Sequence, residues 1–182
     1  AGTDLLLKIA EAHRRLGFPV ESARLFQSVI RDPKAEASHE AALMGLAYSY
    51  LEQKDMRAAR AVFERYRLQF PTGRSAAEAL RGILTSFEGE GNTEALLKLG
   101  RQWLSHNPRH PDRWLVQLKM AGVLAQAKQD GEAAALYDSL SKMGVELPAF
   151  DMLRYADVLA RLHRREAALA MYKRAVVAGL EP

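Results

Sequence analysis

Residues 43–71 read LMGLAYSYLEQKDMRAARAVFERYRLQFP, and this stretch decides the fold. Leu43, Leu46, Ala47 and Tyr50 stand at i, i+3, i+4 and i+7, the spacing that puts apolar side chains on one stripe of a helix. Glu52-Gln53-Lys54-Asp55 then interrupts the period with turn-forming residues, and Asp55 suits the start of a second helix because its carboxylate can accept from the first free amides. Ala59, Phe63 and Tyr66 resume the stripe, and Pro71 closes it, since proline lacks the amide that a continuing helix needs. The stretch is a helical hairpin.

Working outward, the hairpin recurs. Pro33, Pro71, Pro108, Pro148 and Pro182 fall at intervals of 38, 37, 40 and 34 residues, each after an apolar helical run. Gly89-Glu90-Gly91-Asn92 and Lys128-Gln129-Asp130-Gly131 repeat the central turn, with Asn92 and Asp130 as expected N-caps, and Pro19 fits the first turn of the second helix in the opening unit. The first-helix stripe reads Leu6, Ile9, Ala10, His13, then Leu80, Ile83, Leu84, Phe87, then Leu118, Ala121, Gly122, Ala125, then Met152, Tyr155, Ala156, Leu159. Ala168, Tyr172 and Ala175 continue the fifth unit in the register of Ala59, Phe63 and Tyr66. His13, on its apolar stripe, reads as a hydrogen-bonded packing residue. The repeats are bounded at approximately 3–35, 36–73, 74–110, 111–148 and 149–182.

These residues resemble the tetratricopeptide repeat, a unit with large apolar side chains flanking small ones and a proline at its end. The resemblance implies an all-α, right-handed α-solenoid of about five antiparallel helix-turn-helix repeats, forming one domain over residues 1–182. Stacking is obligatory because one hairpin cannot bury its own face. Ala10, Ala47, Gly122 and Ala156 let paired helices approach, and Phe63 and Tyr172 fill the gap to the following hairpin. Leu84 and Trp103 depart from the pattern by standing where small residues are usual. The chain opens almost directly into a repeat and stops at Leu180-Glu181-Pro182, a repeat boundary, so a fragment of a longer array is expected.

Composition supports helix and excludes several chemistries. The chain has no cysteine, which removes disulfides, thiolate metal sites and a cysteine nucleophile. No apolar run approaches the roughly 20 residues of a membrane-spanning helix. A net charge of +4 comes from basic residues spread evenly over both halves, not gathered on one tail, so no nucleic-acid partner is expected. Phe63, Tyr66, Phe87, Tyr155 and Tyr172 lie on stripe positions and read as core, not as base-stacking platforms, while Trp114 is a candidate surface contact.

No catalytic constellation emerges. His106 and His110 are four apart, but Pro108 breaks the helix that would align them, and no metal site is expected. Ser22, Ser28, Ser49 and Ser86 sit inside helical patterns, away from any strained nucleophile turn. Gly89 and Gly91 lack the Lys-Ser/Thr of a phosphate loop, and Glu88 with Glu90 flanks a solvated turn. The expectation is a binding scaffold with no enzymatic activity and no cofactor.

By resemblance, the first helices line a concave groove. Lys8, Arg14, Tyr48, Arg81, Lys119, Arg154 and Arg161 are its candidate binding residues, the six cations offering charge-assisted hydrogen bonds to carboxylates. An acidic or extended peptide on a protein partner suits them; a charged polysaccharide guided along the groove is the alternative, and a cytoplasmic adaptor for an acidic peptide is another. The chaperone-type carboxylate clamp, which by resemblance uses asparagines at one repeated position, is disfavoured because that position holds Glu11, Tyr48, Thr85, Val123 and Asp157. Residues 61–71, AVFERYRLQFP, with Ser75 and Ala79, resemble the helix-end phrase of bacterial cell-envelope tetratricopeptide proteins. That resemblance implies a periplasmic segment of an outer-membrane-associated protein acting in secretion, outer-membrane assembly or exopolysaccharide export.

Overall fold

A computed structural model describes residues 2–180; Pro182, the last of the five prolines, lies outside the described residues. Among the described residues the chain forms ten α-helices and a short 3-10 turn at Pro33–Ala35, with no strand. The helices pair along the sequence as α1 (Gly2–Arg15) with α2 (Pro19–Arg31), α3 (Glu36–Glu52) with α4 (Met56–Gln69), and α5 (Ala76–Gly89) followed by α6 (Thr93–His106). Then come α7 (Arg113–Gln126) with α8 (Asp130–Lys142), and α9 (Ala149–Arg161) with α10 (Arg165–Leu180). They gather into two compact units divided between Ala95 and Leu96, so that only the first turn of α6 falls in the first unit.

One turn closes every hairpin. Gly17, Lys54, Gly91, Lys128 and His163 all adopt left-handed backbone, with φ between 58° and 81°, at intervals of 37, 37, 37 and 35 residues. Around Lys54 the amide of Asp55 donates to Tyr50 O at 3.0 Å and that of Lys54 to Leu51 O at 2.9 Å, which satisfies carbonyls that the end of α3 would leave bare. The same pair of bonds recurs at the other four turns. Asp55 and Asn92 cap the following helices by accepting from Ala58 N and Ala95 N at 3.0 and 3.1 Å. Pro19 occupies the first turn of α2.

The first unit is held by aromatic rings seated on glycines. Phe26 of α2 packs onto Gly45 of α3, and Phe63 of α4 onto Gly82 of α5; a Cβ on either glycine would fall inside the ring. Phe63 is fully buried and meets Tyr48 edge-on at 5.4 Å. In the second unit the scheme inverts: Gly100 of α6 receives Met120 of α7, while Tyr137 of α8 stacks on Tyr155 of α9 at 4.8 Å.

Several sequence expectations are corrected here. Pro148 does not end α8, which stops at Lys142 with Gly144 left-handed behind it; Pro148 precedes α9 as its N-cap. Asp130 is the first residue inside α8, not its cap, and its carboxylate turns to Arg161. In α7 Ala121, Gly122 and Ala125 of the sequence stripe are buried and Leu118 is half-buried; counted from the left-handed Lys128, the position of Leu43 falls on the buried Gln117, one residue before Leu118. Leu6 and Ile9 are exposed, since no helix covers that side of α1 among the described residues. Tyr172 donates to Asp157 of its own hairpin. His13 is half-buried and bonds Ile9 O through Nδ1 at 2.9 Å.

Candidate peptide groove

Within the first unit α1 and α3 enclose a groove of about 690 Å³, a size within the roughly 300–1,000 Å³ range of ligand pockets. Its floor is Leu7, Ala12, Ala41 and Met44, with the Phe26 ring reaching it over Gly45. Arg74 and Ser75, from the segment between α4 and α5, form one end. That end is fixed from behind: Tyr66 Oη donates to Glu40 at 2.5 Å and accepts from Ser75 N at 3.0 Å. Burial, with the Glu40 hydrogen bond, holds the Tyr66 phenol above its ordinary range.

The charges in and behind the groove are sorted by their partners. Arg14 grips Glu11 through Nε and Nη2 at 2.9 and 2.7 Å and also pairs with Glu52 of α3. Its hydrogen bonds to Glu11, joined by those of Arg15, overcome burial and hold that carboxyl below the usual carboxylate range. Arg81 donates through Nε to Glu78 at 3.0 Å and through Nη2 to Tyr48 Oη at 3.1 Å, while Tyr48 itself donates to Glu78. Burial pushes Glu78 up, but the bonds from Arg81 and Tyr48 outweigh it and the carboxyl ends below its ordinary value. Burial and the Glu78 bond push the Tyr48 phenol strongly up, so it stays a neutral donor. Lys8 and Arg74 line the groove and form no ion pair among the described residues.

The seven candidate residues therefore separate. Lys8, Arg14 and Tyr48 line one groove, with Arg81 behind Tyr48. Lys119, Arg154 and Arg161 belong to the second unit. Arg154 lies 3.6 Å from Asp151 and 4.2 Å from the Phe150 ring centroid, and the Lys119 charge also acts on Asp151. Arg161 grips Asp130 through Nε and Nη2 at 2.9 and 2.7 Å and reaches Ala125 O at 3.2 Å. Arg14, Arg81, Arg154 and Arg161 are thus engaged with the protein's own carboxylates. Sequence reasoning missed Arg74, which lies off the first helices, and Phe26 over Gly45; the 37-residue spacing that relates Phe26 to Phe63 and Gly45 to Gly82 was the available signal.

The described residues hold no group of three or more His, Asp or Glu placed to bind a metal ion, and no helix long and apolar enough to cross a membrane.

Residues 41–73 match the family model of the tetratricopeptide repeat. No protein with a curated description matches the sequence. Among solved structures, a Podosopora anserina protein with nearly identical TPR-like repeats aligns with a TM-score of 0.72 at 16% identity, over 96% of this chain and 93% of that one. TTC0263, a thermophilic TPR protein of Thermus thermophilus, aligns at 0.67 and 19% identity over 97% and 91%. YrrB, described as a TPR protein with an unusual peptide-binding site, aligns at 0.58 and 14% over 95% and 84%. The fold is an all-α solenoid of the tetratricopeptide type, and residues 41–73 match that repeat by sequence as well.

Proposed function

We propose that this chain is a protein-interaction scaffold whose first unit holds an extended, acidic peptide segment of its partner in the groove between α1 and α3. The observation that carries this reading is the pairing of an apolar floor with two cations, Lys8 and Arg74, that no carboxylate of the chain engages among the described residues. A carboxylate entering there gains charge-assisted hydrogen bonds without breaking an existing pair. Apolar side chains beside it would cover Met44, Leu7 and the Phe26 ring. A scaffold of this kind performs no catalysis.

The reading is tested by titration calorimetry with a library of extended peptides. Acidic peptides should bind, with affinity falling as salt rises. Lys8→Glu with Arg74→Glu should weaken binding at least ten-fold, about 1.4 kcal/mol. Peptide binding indifferent to both substitutions overturns the reading, and binding of a charged polysaccharide in its place favours guidance of that polymer along the chain.

The setting proposed is a bacterial envelope complex for secretion, outer-membrane assembly or exopolysaccharide export, with the chain in the periplasm. It is supported by the likeness of residues 61–71 to cell-envelope repeat proteins. Cell fractionation tests this separately: recovery from the cytoplasm alone would remove the setting, favour an adaptor for acidic peptides there, and leave the groove reading intact.

A further inference from the structure

At the Arg74 end of the groove a cation stands unpaired although a carboxylate is close. Arg14 is engaged by Glu11 and Glu52, and Arg81 by Glu78. Arg74 forms no ion pair among the described residues, yet Glu40 lines the same groove. Glu40 is taken by another donor: Tyr66 Oη bonds its Oε1 at 2.5 Å.

Tyr66 is unlike its counterparts in the repeat. Counted from the left-handed turns, its position is held by Val29 in the first hairpin, Leu140 in the fourth and Ala175 in the fifth, all buried and all apolar. Packing therefore asks for no hydroxyl there, and a buried hydroxyl costs stability unless it is bonded. Both bonds of this one go to the edge of the groove: it donates to Glu40 of α3 and accepts at 3.0 Å from the amide of Ser75, the residue after Arg74. Gly73, the residue before Arg74, belongs to the same fit. A Cβ on it would lie 2.6 Å from Tyr66 Oη and 2.8 Å from Glu40 Oε1, so bare backbone is what lets phenol and carboxylate meet. Arg74 is held on both flanks by one hydroxyl.

Resting on the groove reading above, we infer that Tyr66 is a positioning residue for ligand binding: its hydroxyl occupies Glu40, keeps that carboxylate from pairing with Arg74, and so leaves the guanidinium open to a carboxylate of the partner. Tyr66 itself does not line the groove. Glu40 is a latent competitor for Arg74. Because it belongs to the same chain, once released it competes at a high effective concentration against a peptide that must arrive from solution.

The test begins without a peptide, on the Arg74 Nε–Hε resonance, which shifts when the guanidinium pairs with a carboxylate. Tyr66→Phe should move it, and Tyr66→Phe with Glu40→Gln should return it, since glutamine carries no charge to pair. Calorimetry with a hexapeptide of alternating glutamate and leucine reads the consequence. Tyr66→Phe should weaken binding by roughly three- to ten-fold, and adding Glu40→Gln should recover it. Glu40→Gln in the wild-type background should gain less than it recovers beside Tyr66→Phe, which separates release of the carboxylate from simple loss of a negative charge. A merely structural role for Tyr66 predicts no recovery, because the double variant restores no bond. If Tyr66→Phe loses helical circular dichroism, Gly73→Ala, which forces phenol and carboxylate apart, gives the same two readouts. An Arg74 resonance that Tyr66→Phe leaves in place, or a loss of binding that Glu40→Gln fails to reverse, overturns the inference. Should the wild-type chain bind no such hexapeptide, the groove reading falls, while the resonance still decides whether Tyr66 shields Arg74.

Discussion

The two units solve the same packing problem with opposite chemistry. In the first, phenylalanine rings sit on bare glycines, and the nearby carboxylates Glu11 and Glu78 are bound by arginine. In the second, the knobs are Met120 and Tyr137, and polar atoms are left over: Gln117 Oε1 and Arg113 Nε are buried with no hydrogen-bond partner among the described residues. The first unit pairs the polar groups at its joints, Ser22 Oγ with Ser49 Oγ at 2.9 Å and Gln27 with Tyr50 Oη at 2.7 Å. The second tolerates polarity within, where each unpaired group costs about 1–3 kcal/mol of desolvation.

The comparison breaks most readily at Phe63. Phe63→Ala should cost about 3–5 kcal/mol by emptying the space over Gly82, and site-resolved hydrogen exchange should lose protection in α4 and α5 first. Loss spread equally through α8 and α9 would show that the units do not differ in this way.

Acid should separate the units next. Glu11 and Glu78 are held below the ordinary 4.5, so their contribution is complete above about pH 4.5 and is lost as pH falls through their lower folded values. Asp151 is the reverse: burial holds it above the ordinary 3.8, with Arg154 and Lys119 offsetting only part, so its ionisation costs stability and that cost vanishes as pH falls through the raised value. Glu78→Gln should therefore destabilise by about 1 kcal/mol at neutral pH, and Asp151→Asn should be neutral or mildly stabilising. Denaturant melts from neutral to acid pH, read by exchange in each unit, check both signs; a stabilising Glu78→Gln would refute the assignment.

The smallest effects are at the turns. Lys54→Gly, Lys128→Gly and His163→Gly should each stabilise by about 0.5–1 kcal/mol, because glycine adopts left-handed backbone without the Cβ penalty. Both hairpin turns of the second unit carry a side chain there against one of three in the first, so the combined gain in thermal midpoint should be larger in the second.

These turns also explain what could be read in advance. The prolines revealed a repeat, and the apolar stripes of α3, α5 and α9 were placed correctly because Leu43, Leu80 and Met152 are unambiguous. The true phase is carried by the left-handed residues, and three of the five are Lys or His where glycine would have signalled that conformation. Aligning α7 on its small residues therefore matched Leu118, and not Gln117, to Leu43, although Ala121, Gly122 and Ala125 are buried as expected. In the candidate site, Lys8, Arg14 and Tyr48 were legible as groove-facing from helical spacing. The pairs that engage Arg14 with Glu52 and Tyr48 with Glu78 were not, because they join residues 38 and 30 apart across separate helices. Arg74 escaped because its segment has no period.

The seating of Phe63 on Gly82 has one further bearing, on how such a chain can be rearranged by recombination. A ring and the bare backbone it rests on are inherited from adjacent hairpins, so exchanging a whole hairpin separates each knob from its socket at both borders. Exchange with breakpoints at the left-handed turns, from Lys54 to Gly91 for example, moves α4 and α5 together and keeps the fitted pair intact. The heritable block is then the joint, offset by half a repeat from the hairpin that folds.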